Sequence, residues 1–492
     1  MEPVVLVIAA AVLVIVAGLL AIYVLNRRSA TVLEGFPSKY PEDKDKACLQ
    51  NFNFLSEVVQ LQTNKTVDHY DVTIVGAGPG GATCAYYLSK AGWNVLLLEK
   101  KKFPRDKYCG DAVCKTGIEI LMDMGIYDSL IKQNKGLVAD CGGMVSPSGL
   151  SFIGRIKEGL GGIPAAMAIK RTHLDEAIAM SAKRVGADLQ EEASVSEAVF
   201  CKEAGLWTVS LEDSDRKFKS RVLVCADGAP SRLATQLGIV TRPPDSTCSR
   251  AFVEGGTHCF DADGVVFYNK ELLPGYCALF RHPNDELNFC CYIIPGNPRV
   301  KSEELADWHK FILEKDPSIV KALGDNYKIE RMKAASLRLG GEKVSYGNHV
   351  LLVGDAAGMI DPLTGEGIHH AMEGGKIAAE FLDEALTLGN YDVEVMKVYH
   401  HRWMEKFGSD FKWSMLFCQM LYRFPILIDA ATAAVQRKGD SFLLKWADIM
   451  TGRVPKLNML RPEFSVVITY ELIILLLTRL LGRPVTSTKK VN

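Results

Sequence analysis

The stretch YDVTIVGAGPGGATCAYYLSKAGWNVLLLEK, residues 70–100, decides the fold. Residues 72–75 are a short β-branched run that meets a cluster of glycines. A helical stretch follows, then NVLLLEK, a second buried strand. This is a strand–turn–helix–strand unit, and its turn spells Gly76-x-Gly78-x-x-Gly81. Gly76 permits the tight turn, Gly78 lets the backbone approach a pyrophosphate, and Gly81 lets the helix pack close on the strand. The helix start then offers free N–H groups and a partial positive charge to the phosphates. Glu99, at the end of the second strand, is placed to accept hydrogen bonds from ribose hydroxyls.

Two further motifs follow predicted strands. CADGAPSRLATQLG holds Asp227 and Gly228 after a strand at 221–226, and VGDAAGMIDPLTGEGIHHAMEGG holds Gly354 and Asp355 after one at 348–354. Asp355 suits a ribityl hydroxyl. Pro362 and Gly365 to Gly367 open a helix whose positive end would stabilise the negative charge of a reduced flavin. A helix is expected at 171–187, with Leu174, Ile178 and Ala182 on one apolar face. Between 246 and 345 the texture turns to alternating β segments such as LNFCCYIIP. From about 381 the chain reads as helical, with an aromatic-rich stretch at 413–428.

Composition bounds the function classes. The chain has 492 residues, 48% hydrophobic and 23% charged, with a net charge of -1 that gives nucleic-acid binding no footing. Its 13 cysteines show no C-x-x-C pair or framework spacing, so no metal site and no disulfide scaffold is expected. No G-x-S-x-G, H-E-x-x-H or Walker pattern occurs, which sets hydrolase and kinase readings aside.

The ends suggest a membrane. Residues 3–25 carry no charge. At about 1.5 Å per residue they span about 34 Å, enough for a bilayer core of about 30 Å. Glu2 and the length of the run argue against a cleaved signal peptide, and Arg27 and Arg28 place the body on the cytosolic side. Residues 29–68 read as a polar tether. A second apolar run at 464–481 is interrupted by Glu471 and Arg479, which suits a helix lying in the membrane interface better than one crossing it. Lys489 and Lys490 resemble a dilysine retrieval signal of the endoplasmic reticulum. The sequon at Asn64 points towards the lumen instead and is read as unused.

The chain resembles the geranylgeranyl reductase family, within the FAD-dependent oxidoreductases of para-hydroxybenzoate-hydroxylase-like fold. The resemblance covers residues 69–385. It rests on VGAGPGGATCAYYLSKAG, PRDKYCGDAV, KRTHLDEAI, ADGAPSR and GDAAGMIDPLTGEGIHHAM. It implies an α/β protein: a Rossmann-type FAD-binding domain in two parts (69–245 and 346–385), with an inserted antiparallel β-sheet substrate layer (246–345). Around these stand an N-terminal transmembrane helix (1–28), the linker 29–68, and a helical C-terminal region (386–492). By position it assigns Gly76, Gly78, Gly81 and Glu99 to the ADP half of FAD. It assigns Arg171 and Asp355 to the diphosphate and ribityl portion, with Asp227 in the same cofactor set. Gly365, Glu366 and Gly367 fall beside the isoalloxazine, and Cys109, Gly110 and Asp111 near the flavin face. One departure stands out. The family's Y-x-W-x-F-P motif finds only YCALFR here, with Ala278 at the tryptophan position and Arg281 at the proline.

The implied activity is saturation of C=C bonds in an isoprenoid lipid, with reduced flavin giving the hydride. A flavin monooxygenase or epoxidase acting on a lipid is the alternative the same fold supports. No second dinucleotide fingerprint follows the first, so NAD(P)H would bind transiently, and an electron-donor protein is equally allowed. Cys109 either gives the proton or shapes the flavin pocket, and Lys107 and Lys115 nearby would favour its thiolate. His369 and His370, as helical neighbours, are expected on different faces and away from any metal.

Overall fold

The computed structural model describes residues 69–155, 162–212, 214–255, 262–273, 275–293 and 304–482. The apolar segment 3–25, the tether, the sequon and Lys489–Lys490 lie outside the described residues.

The 70–100 stretch forms the strand His69–Val75, the helix Pro79–Lys90 and the strand Val95–Leu98. The two strands pair in parallel, Val72 opposite Val95 through Val75 opposite Leu98. They sit inside a larger sheet ordered Tyr346–Gly347, Val350–Leu352, Lys217–Cys225, His69–Val75, Val95–Leu98, Asp188–Gln190. Along this order neighbours pair in parallel except the first two strands, and Leu206–Leu211 with Val195–Cys201 extends antiparallel from Lys217–Cys225. A parallel sheet covered by helices on its faces needs apolar residues on both sides of each strand. That is why the VLLL of Val95–Leu98 is uninterrupted and fully buried.

A second sheet faces the cofactor half. Its order is Lys328–Ile329, Ser246–Glu254, Leu287–Ile293, Gly275–Arg281, Gly264–Phe267, Cys141–Val145, Ser151–Arg155, with Lys333–Leu337 also on Ser246–Glu254. The β layer therefore begins well before residue 246, and its Cys141–Val145 strand pairs in parallel with Gly264–Phe267. The expected 246–345 insert missed this edge. CGGMV and SFIGR are short and glycine-bearing; they form a local hairpin, and the strand that joins it to the sheet through CGGMV is more than a hundred residues away. Side chains alternate across this sheet. Cys277, Leu279, Phe289 and Cys291 pack into a core with the helices Leu305–Lys315 and Pro317–Leu323. Tyr276, Phe280, Cys290 and Tyr292 point to the other side.

The C-terminal region is helical, as expected, with helices Val393–Lys406, Phe411–Arg423, Ile426–Lys438, Asp440–Met450 and Pro462–Leu480. The last packs on Ile426–Lys438. Its Glu471 is buried and ion-paired with Arg437, while Arg479 reaches Asp429 at 2.6 Å. The charges that interrupt the apolar run thus tie it to the protein. Its opposite face leaves Val466, Tyr470, Ile473 and Leu477 exposed. Among the described residues no helix is long and apolar enough to cross a membrane.

Candidate functional site

Two helices converge on the site, and glycine sets how closely. Ile368–Leu388 crosses Pro79–Lys90 so tightly that a Cβ on Gly375 would stand 2.2 Å from the Gly80 carbonyl oxygen. The MEGG segment had carried no expectation of this crossing. Its effect is to bring two helix N-termini, capped by Gly78 and Gly367 with no side-chain hydrogen bond, onto one cavity. Free N–H groups at a helix start call for an acceptor. Here a glycine-lined pair of them faces the same space, as an anionic dinucleotide with a reducible ring would require. The residues present therefore fit FAD.

The fingerprint glycines occupy distinct geometries. Gly76 has φ +105°, and a Cβ there would meet the Ala226 carbonyl oxygen at 2.2 Å. A Cβ on Gly81 would meet the Gly76 carbonyl oxygen at 2.1 Å, whereas nothing lies within 4 Å of one on Gly78. Gly78 is the open approach; the other two are closed by backbone. Glu99 is buried. One oxygen accepts from the Ala77 N–H at 3.3 Å and the other from the Lys101 N–H at 3.1 Å. Arg105 lies 3.0 Å from Glu99 and also bonds Asp175 at 2.7 Å, and Asp175 in turn holds Arg171 at 2.7 and 2.8 Å. Arg171, expected at the diphosphate, is thus engaged with Asp175 and lies beside the Cys109 thiol while still lining the cavity. Arg105 was not singled out from sequence, although it stands in the PRDKYCGDAV signature.

Asp227 accepts from Ser231 at 2.7 Å and the Leu233 N–H at 3.1 Å, and Asp355 faces Lys107 at 3.5 Å. Gly365 has φ +68° at the turn into the second helix. Over this turn the β layer closes a clamp: the Tyr276 hydroxyl donates to the Thr364 carbonyl and the Tyr292 hydroxyl to the Pro362 carbonyl at 3.1 Å.

Cys109, Gly110 and Asp111 line the cavity together. A Cβ on Gly110 would press within 3.1 Å of the Cys290 sulfur. Asp111 adopts φ +63°, is 1% exposed, and accepts from Asn288 Nδ2 at 2.8 Å. The same amide donates to the Cys109 carbonyl at 3.0 Å. Burial pushes the Asp111 carboxyl up to about 7 against the pull of Arg250 and Arg171. Burial also raises the Cys109 thiol, and Arg171 only partly opposes it. The expected thiolate is therefore not favoured, because desolvation outweighs the nearby cations. His282, with Nε2 3.7 Å from Asp111, and Asn288 were invisible to sequence reading, since the layer that carries them is distant in the chain.

His369 and His370 depart from expectation. Both are buried, and their ring centroids lie 4.0 Å apart. The rings swing together because Phe407 and Phe411 pack around His370. Cys114, Glu366 and His369 bring potential ligand atoms within 4.8 Å of one another. Cys114 donates to Glu366 Oε1 at 3.1 Å, and burial pushes its thiol well above the usual range.

The whole cavity measures about 800 Å³ and runs from the Gly76 turn past Cys109 to the helix Asp440–Met450. Its far wall is apolar, with Met144, Val266, Phe280, Leu443, Trp446 and Met450.

Comparison with known proteins agrees with this geometry. Residues 69–404 match the FAD binding domain family. The chain is 48% identical over 413 residues to conditioned medium factor receptor 1 of Dictyostelium discoideum, covering 82% of this chain and 81% of that one. It is 31% identical over 350 residues to the digeranylgeranylglycerophospholipid reductase of Methanocaldococcus jannaschii, covering 69% and 83%. Among solved structures, a geranylgeranyl bacteriochlorophyll reductase-like protein of Thermoplasma acidophilum superposes with TM-score 0.64 at 22% identity, over 83% of this chain and 99% of that one. A flavin-dependent brominase gives 0.62 at 18%, over 84% and 99%. At these identities the structural likeness establishes the fold alone.

Proposed function

Since the chain belongs to the geranylgeranyl reductase family of FAD-dependent oxidoreductases, we propose that it saturates C=C bonds of an isoprenoid lipid at a membrane surface. The observation that carries this reading is the continuity of the cavity: the dinucleotide-binding end and a long apolar slot are one space, with Cys109 on its wall. An unactivated alkene offers no polar handle, so it must be held by shape in a dry apolar slot where the few polar groups act strongly. Gly76, Gly78, Gly81, Glu99, Asp227, Asp355, Gly365 and Gly367 would hold FAD, which supplies the hydride when reduced. Arg105 and Arg171 brace the loop that presents Cys109, and the Tyr276–Tyr292 clamp fixes the turn at Gly365.

NAD(P)H is the proposed electron source, bound transiently. Residues 3–25 are proposed as a single-pass anchor in the endoplasmic reticulum membrane. Arg27, Arg28, Lys489 and Lys490 support a cytosolic body, and the exposed apolar face of Pro462–Leu480 supports a second membrane contact.

The test is anaerobic incubation of the reduced holoenzyme with digeranylgeranylglycerophospholipid, followed by mass spectrometry. Product heavier by two hydrogens supports the reading. Turnover only with oxygen, adding an oxygen atom, replaces it with the monooxygenase reading. Bound FAD with no substrate-dependent reoxidation under either condition leaves a flavin-binding scaffold.

A further inference from the structure

We propose that Glu366, held at the cavity wall between Cys114 and His369, delivers the proton that alkene saturation consumes. The proposal rests on the reductase reading above. The three residues come from separate elements: the end of the strand Ala112–Cys114, the turn at Gly365, and the first turn of Ile368–Leu388. Cys114 and Glu366 line the cavity.

The geometry is that of a protonated acid with a waiting acceptor. Glu366 Oε1 accepts from the Cys114 thiol at 3.1 Å. Glu366 Oε2 and His369 Nε2 face each other at 3.9 Å, and both are buried without a partner. Two buried polar atoms without partners are costly, and at 3.9 Å they do not bond each other, so each is left for another group to satisfy. Around them stand His370, whose Nδ1 lies 3.1 Å from the Glu366 carbonyl, and Lys456, Asp361 and Asp410. Lys456 is bound to Asp361 at 3.0 Å, with Asp410 at 3.9 Å, so its charge is already matched. Burial lifts the Glu366 carboxyl to about 7 despite Cys114 and Lys456. Burial holds His369 neutral, well below the usual histidine range. Near neutral pH the Glu366 carboxyl is thus poised to hold or release a proton beside a neutral histidine.

The step balances. One alkene carbon takes the hydride of the reduced cofactor and the other takes the Glu366 proton. The saturated lipid, oxidised cofactor and Glu366 carboxylate remain, and the carboxylate recovers its proton from solvent through the cavity that it lines once the product has left. Asp111 shares the cavity and a raised pKa, yet it accepts from an amide N–H and faces Arg171 and Arg250. It serves as a strut of the Cys109 loop.

The experiment uses holoenzyme reduced anaerobically and mixed rapidly with digeranylgeranylglycerophospholipid in detergent, for the wild type, Glu366→Gln, Cys114→Ser and Asp111→Asn. Glu366→Gln should keep its FAD and lose about 100-fold in flavin reoxidation rate, at the low end of general-acid contributions. The wild-type rate should fall above pH 7 as the carboxyl ionises, and this limb should vanish in Glu366→Gln. Infrared titration gives a second readout independent of turnover. With Asp111, whose carboxyl is raised into the same range, replaced by asparagine, a protonated-carboxyl carbonyl band should disappear near pH 7, shift when Cys114→Ser is added and be missing when Glu366→Gln is added. Wild-type reoxidation in Glu366→Gln, no such band, loss of rate in Asp111→Asn alone, or stoichiometric zinc lost on Cys114→Ser would each overturn the proposal. If the lipid does not reoxidise the wild type at all, the reductase reading fails, and the infrared titration still reports on the trio.

Discussion

Asp111→Asn should stabilise the protein in a pH-dependent way. Asp111 is buried and its carboxyl is raised from the ordinary 3.8 to about 7, chiefly by desolvation. The folded protein therefore holds a proton that the unfolded chain has lost over the whole interval between those values. Stability must fall as pH rises from about 4 to about 7 and stay level above. At about 1.4 kcal/mol per pH unit the full cost is about 4 kcal/mol, an order-of-magnitude figure for a buried group facing Arg171 and Arg250. Asparagine removes that cost, tolerates the φ of +63° nearly as well as aspartate does, and still offers Asn288 an acceptor. Thermal or denaturant unfolding at pH 5 and pH 8, on protein with and without FAD, measures the difference. The variant should gain over the wild type, and gain more at pH 8. An equal loss at both pH values would show that the carboxyl is ionised in the folded protein and that Arg171 and Arg250 overcome desolvation.

Gly375→Ala should lower Tm and FAD content together, since its Cβ would meet the Gly80 backbone oxygen at 2.2 Å and force the two helices apart at a cost of about 1–3 kcal/mol. Cys109 should react slowly with iodoacetamide at pH 7, because burial keeps it as the thiol, and the rate should rise steeply only in alkaline buffer. Tyr292→Phe removes the bond to the Pro362 carbonyl, and about 1 kcal/mol of stability should go with it, read as a lower denaturation midpoint and looser FAD binding. Removal of residues 1–28 should release the protein from membranes into a high-salt wash; full retention would shift the anchor to Pro462–Leu480.

The reach of the sequence differs from one element to the next. The 70–100 unit was legible because its determinants are local: a β-branched run, three glycines at fixed spacing and an acid at the next strand's end. Each acts within one turn of where it stands. The same holds for Gly365 to Gly367 before their helix, and for the loop that presents Cys109. The outer edge of the β layer was not legible, because the CGGMV–SFIGR hairpin joins the sheet only through the distant Gly264–Phe267. Nor was the direction of the Cys109 shift. Lys107 and Lys115 are near it in sequence, but burial and Arg171, which is distant, set its proton affinity.

What the sequence by itself determined is the nucleotide fold, its cofactor and the order of its parts, because backbone conformation and hydrophobic period are written residue by residue. What only the tertiary structure decided is which side chains meet in the dry space between the layers. The Asn288 and His282 pair behind Asp111, the Tyr276–Tyr292 clamp, and the trio of Cys114, Glu366 and His369 depend on desolvation and non-local contact. Neither has a signature in a stretch of chain.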